Sequence, residues 1–192
     1  NNATGVFASL FTPVSGELSL TEASPSVRLS VLEEAVKSKN TEIRKVAIKA
    51  CDEGLETRFF SRMIENPIAN LRREPRRWTA KTYGEIFDVY QEIWNLLVYM
   101  VKNPQSQDEQ LNVFKILVKH SIEISRIPSL SELVISTFEE LKETKILKNL
   151  LLEGIIRFLR YGNANNDPEI RNRWVTLQEG LIGSGYEDSL RR

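Results

Sequence analysis

The segment Asn40-Thr41-Glu42-Ile43-Arg44-Lys45-Val46-Ala47-Ile48-Lys49-Ala50 decides how the chain is read. Apolar side chains fall at Ile43, Val46, Ala47 and Ala50, and continue to Cys51 and Leu55. That three-and-four spacing marks one face of a helix, with the charged residues on the other.

The segments around it repeat the pattern. Upstream, Val27, Leu29, Val31, Leu32, Ala35 and Val36 end in the polar stretch from Lys37 to Asn40. Downstream, stripes run through Ile86, Val89, Tyr90, Ile93, Leu97 and Met100, then through Leu111, Phe114, Val118 and Ile122. Leu133, Phe138 and Leu141 form another. Lys145 to Tyr161 is apolar on more than one side, which predicts burial on more than one side. The last candidate helix runs from Pro168 to Leu181.

Start signals agree. Thr82 precedes Glu85, Ser106 precedes Glu109 and Ser129 precedes Glu132, each at capping-box spacing. Asp167-Pro168-Glu169 sets an acceptor at the cap and proline in the first turn. Prolines at 13, 25, 67, 75, 104, 128 and 168 leave long proline-free stretches between them, where helices can lie. Alternating strand patterns are absent. The expectation is an all-α fold of about seven helices joined mostly by short loops.

Residues 1–24, with Gly5, Pro13 and Gly16, read as an irregular lead-in that docks through Val6, Phe7, Leu10 and Phe11. Residues 25–182 read as the helical domain and 183–192 as a polar tail. Residues 65–81 form the longest internal stretch without a clear period. The chain opens on Asn1-Asn2-Ala3 without methionine, which reads as a piece of a longer protein.

Asn40-Thr41-Glu42-Ile43-Arg44 resembles the start of the second helix of a HEAT repeat, whose pattern is Asp-Pro-x-(Val/Ile)-Arg. Asp167-Pro168-Glu169-Ile170-Arg171 matches all five positions, whereas the first copy has Asn40 for the acid and Thr41 for proline. The two arginines lie 127 residues apart, about three periods of the roughly 40–47 residues usual for this class. The resemblance implies an α-α superhelix of irregular helix pairs, with Arg44, Asp167 and Arg171 in contacts between repeats. A closed helical bundle is the alternative. The pairing phase is imperfect. Strict alternation from Val27 makes the helix at Pro168 open a pair, although its motif belongs to a second helix.

A longer resemblance covers residues 25–100. It takes in Arg58-Phe59-Phe60-Ser61, a basic tryptophan loop, and Lys81-Thr82-Tyr83-Gly84-Glu85-Ile86-Phe87-Asp88. This order is similar to helical-repeat regions attached to large bacterial signal-transduction NTPases. It implies a repeat segment of such a protein.

Composition narrows the function classes. Of 192 residues, 41% are hydrophobic and 27% charged, enough apolar content for a core. Lys and Arg number 26, as do Asp and Glu, with thirteen of each sign in residues 1–96. That balance counts against a general nucleic-acid binder. One cysteine excludes an internal disulfide, and one histidine makes a dedicated zinc site improbable. No run approaches the roughly 20 apolar residues of a membrane span, so no membrane partner is expected. The expected compartment is the cytoplasm.

No phosphate loop, zinc-protease motif or nucleophile elbow is present. His120 reads as a structural histidine between Val113, Ile116 and Ile124, and Cys51 as a small core residue. Glu33-Glu34 and Glu139-Glu140 read as solvated helix faces. The expectation is a chain with no catalytic residues, no metal and no cofactor.

One concentration of chemistry remains. Arg72, Arg73, Arg76, Arg77 and Lys81 surround Trp78, with Glu74 the only acid among them. Arginine forks bind carboxylate or phosphate, and an indole offers a stacking face. The bland alternative is that Trp78 plugs the loop onto the core while the arginines stay solvated or ion-paired.

The function expected is a scaffold or sensor module binding other domains of its parent protein or a separate protein. Nucleic-acid or anionic-ligand binding through residues 72–81 is the alternative. An excised repeat block leaves apolar faces uncapped. Exposed apolar surface is therefore expected near residues 5–11 or on the helix from Pro168, or else self-association that hides it.

Overall fold

The computed structural model describes residues 3–13, 21–57, 78–142, 144, 147–161 and 168–183. Helix accounts for 81% of them and no strand occurs among them, so the fold is all-α. Among the described residues there are eight helices: α1 (Ala3–Ser9), α2 (Pro25–Lys37), α3 (Thr41–Gly54), α4 (Tyr83–Lys102), α5 (Gln107–Ser125), α6 (Pro128–Leu141), α7 (Lys148–Tyr161) and α8 (Pro168–Gly183).

Helix starts follow local chemistry. The Asn40 side chain accepts from the amides of Glu42 and Ile43 at 2.9 and 3.3 Å, so α3 is capped although it lacks the acid of the repeat pattern. Ser106 accepts from the Glu109 amide at 3.1 Å, and the Glu109 carboxylate takes the Gln105 amide at 3.1 Å. Thr82 and Glu85 do the same, with Glu85 reaching the Lys81 amide at 3.0 Å. Both acids thus bond one residue before the cap, a wider box than the spacing predicts. The third box does not form. Pro128 occupies the first turn of α6 and Ile127 is the cap, which places Ser129 inside the helix. Proline's fixed φ starts the turn earlier than the hydroxyl would. Glu132 is left free for another partner.

The expected irregular lead-in contains a helix. α1 packs on α3, burying Ala8, and Phe11 is buried in the turn that follows. Seven residues with Gly5 among them are too short a period for that helix to be read from pattern. Val6 is exposed, so it takes no part in the docking expected of it with Phe7, Leu10 and Phe11. On α8 the large apolar residues Trp174, Leu177 and Leu181 are instead buried. Further exposed apolar side chains lie at Val27 and Val31 on α2, Ile43 on α3 and Ile156 on α7.

The chain divides into two compact units, residues 1–96 and 97–192, with the boundary inside α4. In the first unit, α1 and α2 both pack on α3. Its core includes Leu32, Val36, Ala47, Ala50, Cys51, Leu55 and Ile93. Gly54 sits where a Cβ would lie 2.6 Å from Ile93 Cδ1 and 3.3 Å from the Phe11 carbonyl, so any larger residue there makes Ile93 and the turn after α1 shift.

In the second unit, α5 packs on α6 and α7, and α8 packs on the same two helices. The hairpins α5–α6 and α7–α8 therefore meet first helix to first helix and second to second. Gly154 lets α7 close on α5, since a Cβ there would lie 3.1 and 3.3 Å from the two methyls of Val118. Phe114, Phe138, Trp174 and Phe158 form an aromatic chain through the core. The Phe158 ring stacks on Trp174 at 4.3 Å, and the Phe138 ring is tilted against it at 5.2 Å.

α8 is also tied to α6 by charge. Arg173 bonds Glu139 at 2.5 Å and Glu132 at 2.6 Å. The Arg173 hydrogen bond, with one from Ser136, holds the Glu132 carboxyl below its usual 4.5. A carboxyl depressed in the folded state adds stability above its unfolded pKa and loses it as pH falls through the folded value. Arg173→Gln is therefore expected to lower Tm near neutral pH, with a deficit that shrinks once pH drops below about 4.5. Thermal melts of both proteins from pH 7 to pH 3 check this.

Candidate functional site

Of the basic cluster, Trp78 and Lys81 lie in the described structure, while Arg72, Arg73, Arg76 and Arg77 lie outside the described residues. Trp78 is half-buried. Its backbone amide donates to the Thr21 carbonyl at 3.2 Å, which ties the end of the basic segment to the chain just before α2. Lys81 is exposed, and its amide is held by Glu85.

The partner of Trp78 is a residue the sequence reading missed. Arg28 lies on α2 with its guanidinium carbon 5.9 Å from the centroid of the Trp78 ring. It is only 8% exposed. Nη1 donates to the carbonyl of Leu10, in the turn after α1. Nε and Nη2 are buried and have no hydrogen-bond partner among the described residues. Burial pushes the guanidinium pKa down from its ordinary value. A signal was present: Arg28 stands four residues before Leu32 and eight before Val36, on the buried stripe of α2. A charged residue on that stripe is rare without a partner or a role.

Arg44 is 3% exposed, and its Nη1 donates to the Val36 carbonyl at 2.7 Å. It satisfies a carbonyl of the last turn of α2, where no intrahelical donor remains. Arg171 is half-buried in the first turn of α8, and Asp167 lies outside the described residues.

Other groups with chemical potential are placed as follows. Cys51 is fully buried and its thiol is pushed far up by burial and then by the Asp52 charge, which disfavours the nucleophilic thiolate. Tyr90 is raised to about 12 by burial and by Glu56. His120 is buried on α5. Glu33 pairs with Lys37, Glu139 with Arg173 and Glu140 with Lys102.

A shallow cleft of about 340 Å³ runs along α7, lined by Leu152, Glu153, Ile156, Arg157, Arg160, Tyr161 and Asn149. Arg157 is 3.9 Å from Glu153, and the Arg160 guanidinium lies 5.9 Å from the centroid of the neighbouring Tyr161 ring. Among the described residues, no helix is long and apolar enough to cross a membrane. Comparison of the chain with family models, curated proteins and solved structures gives no match.

Proposed function

We propose that this chain is a non-catalytic helical-repeat module, HEAT-like in its pairing, that scaffolds or senses through protein–protein contact within a larger protein. The observation that carries the reading is the arrangement of α5 to α8, in which first helices meet first helices and second meet second. Stacked repeats pair their helices in this way. The phase of the motif supports it too. Glu169-Ile170-Arg171 opens α8, the second helix of the α7–α8 hairpin, and Glu42-Ile43-Arg44 opens α3, which follows α2. In chain order α4 falls between the pairs and breaks strict alternation.

A stack and a closed four-helix bundle share the same ring of contacts, so the test is extension. A chain carrying a second copy of residues 144–183 after residue 183 is expected to gain helix in proportion and to unfold with a larger denaturant m-value. An added copy that stays unfolded means the ring is complete, and rejects the repeat reading. The partner class is tested separately by crosslinking in cells. Polypeptides joined to the chain support the scaffold role. Crosslinks to nucleic acid alone, with affinity falling steeply in salt, would replace it with the nucleic-acid reading.

A further inference from the structure

Arg28 holds a half-used fork. One nitrogen, Nη1, is spent on the Leu10 carbonyl. The other two, Nε and Nη2, carry N–H bonds along one edge of the planar group, side by side. That edge is the one that grips a carboxylate through two parallel hydrogen bonds. Here both donors are buried without a partner. Leaving such donors unmade is costly, more so on a charged group, and native interiors rarely tolerate it. The Trp78 ring lies over the guanidinium, at a distance within cation–π range.

We propose that the Nε–Nη2 edge of Arg28 receives a carboxylate from an acidic peptide segment of a protein partner, with Trp78 as the cover that turns aside to admit it. A single fork matches the two oxygens of a carboxylate, whereas the third oxygen of a phosphate would find no third donor on it. Val27 and Val31, 59% and 51% exposed on the same helix, give apolar surface for the flanking side chains of a peptide. Trp78 is half-exposed, so its ring can move without opening the core of the unit. That the acid arrives on a protein rests on the scaffold reading. The fork itself does not, and the extension experiment above and the titration below fail independently.

The probes are the tripeptide Ac-Leu-Glu-Leu-amide, its glutamine analogue, sodium acetate and inorganic phosphate. Each is titrated against the whole chain by calorimetry and by tryptophan emission. Trp94 and Trp174 are fully buried, so a change in emission reports Trp78. The glutamate peptide is expected to bind at least tenfold more tightly than the glutamine analogue. Arg28→Lys, which keeps the charge and removes the fork, is expected to weaken it at least tenfold. Trp78→Phe is expected to abolish the emission change while calorimetry still records binding. Equal binding by Arg28→Lys, or no binding by the wild type, overturns the proposal. Acetate as tight as the peptide overturns the peptide assignment, and phosphate tighter than the peptide overturns the carboxylate assignment.

The free protein supplies a second readout. Arg28→Met keeps the length of the side chain and removes a buried charge with two unmet donors. It is expected to raise Tm in the absence of any probe. A lower Tm would mean that the contacts Arg28 makes within this chain, to the Leu10 carbonyl and the Trp78 ring among them, outweigh the cost of the two unmet donors, and would overturn the proposal.

Discussion

Trp174→Ala is expected to lower the stability of the second unit by about 3–5 kcal/mol, the usual cost of removing a fully buried large aromatic. Trp174 is 1% exposed and touches Phe138 and Phe158, from the two helices on which α8 packs. Its loss takes away the largest anchor of α8 and leaves a cavity between three helices. Hydrogen exchange should then show the α8 amides losing protection first, ahead of those of α5. Trp174→Phe is expected to cost far less, within about 1.5 kcal/mol, because the ring stack survives. The indole nitrogen contributes nothing to offset the change, since Nε1 is buried without an acceptor among the described residues. A phenylalanine variant as damaged as the alanine variant would show that ring stacking is not what holds α8.

The second large effect is expected at Gly54. Gly54→Ala places a methyl 2.6 Å from Ile93 Cδ1 and 3.3 Å from the Phe11 carbonyl. Overpacking of this kind costs about 1–3 kcal/mol. Gly54 is the last residue of α3, so the gain of alanine over glycine in a helix interior, about 1 kcal/mol, offsets little of it. Ile93→Val deletes the clashing methyl and alone costs about 0.5–1.5 kcal/mol. The two changes should offset each other. The double variant is expected to be more stable than the sum of the singles predicts, by about 0.5 kcal/mol or more. Restoration stays incomplete because the Phe11 carbonyl is backbone and cannot rotate away. Gly180→Ala is the control: a Cβ there meets nothing within 4 Å, so it should be neutral or stabilising. Urea denaturation of the four variants checks the cycle.

Helices were legible where pattern and cap coincide. Thr41, Thr82, Ser106 and Pro168 each stand within one residue of an observed start, because the same residues supply the cap or the first turn and open the apolar stripe. Ser129 misled, since a hydroxyl at the right distance from Glu132 is outcompeted by the proline before it. α1 was missed because seven residues hold barely two turns, too few for a period to emerge. The candidate site was half legible. A cluster of cations around an indole is visible in sequence, so Trp78 was found. Arg28 was not, because it is fifty positions away and only tertiary packing brings it to the ring. Its place on the buried stripe of α2 was the clue, and apolar counting passes over charged residues. The pairing of α8 was likewise hidden, since one unpaired helix shifts the phase of every helix after it.

The two hairpins of the second unit have a consequence for how that unit comes together. Its substantial contacts join helices that are adjacent along the chain or separated by a single helix, and none needs the first helix to find the last. Closing short loops forfeits little chain entropy, and topologies built from local contacts fold quickly. Either hairpin can therefore nucleate on its own and offer the other a ready template. Assembly can begin before all four rods exist, as it would on a chain still emerging from the ribosome.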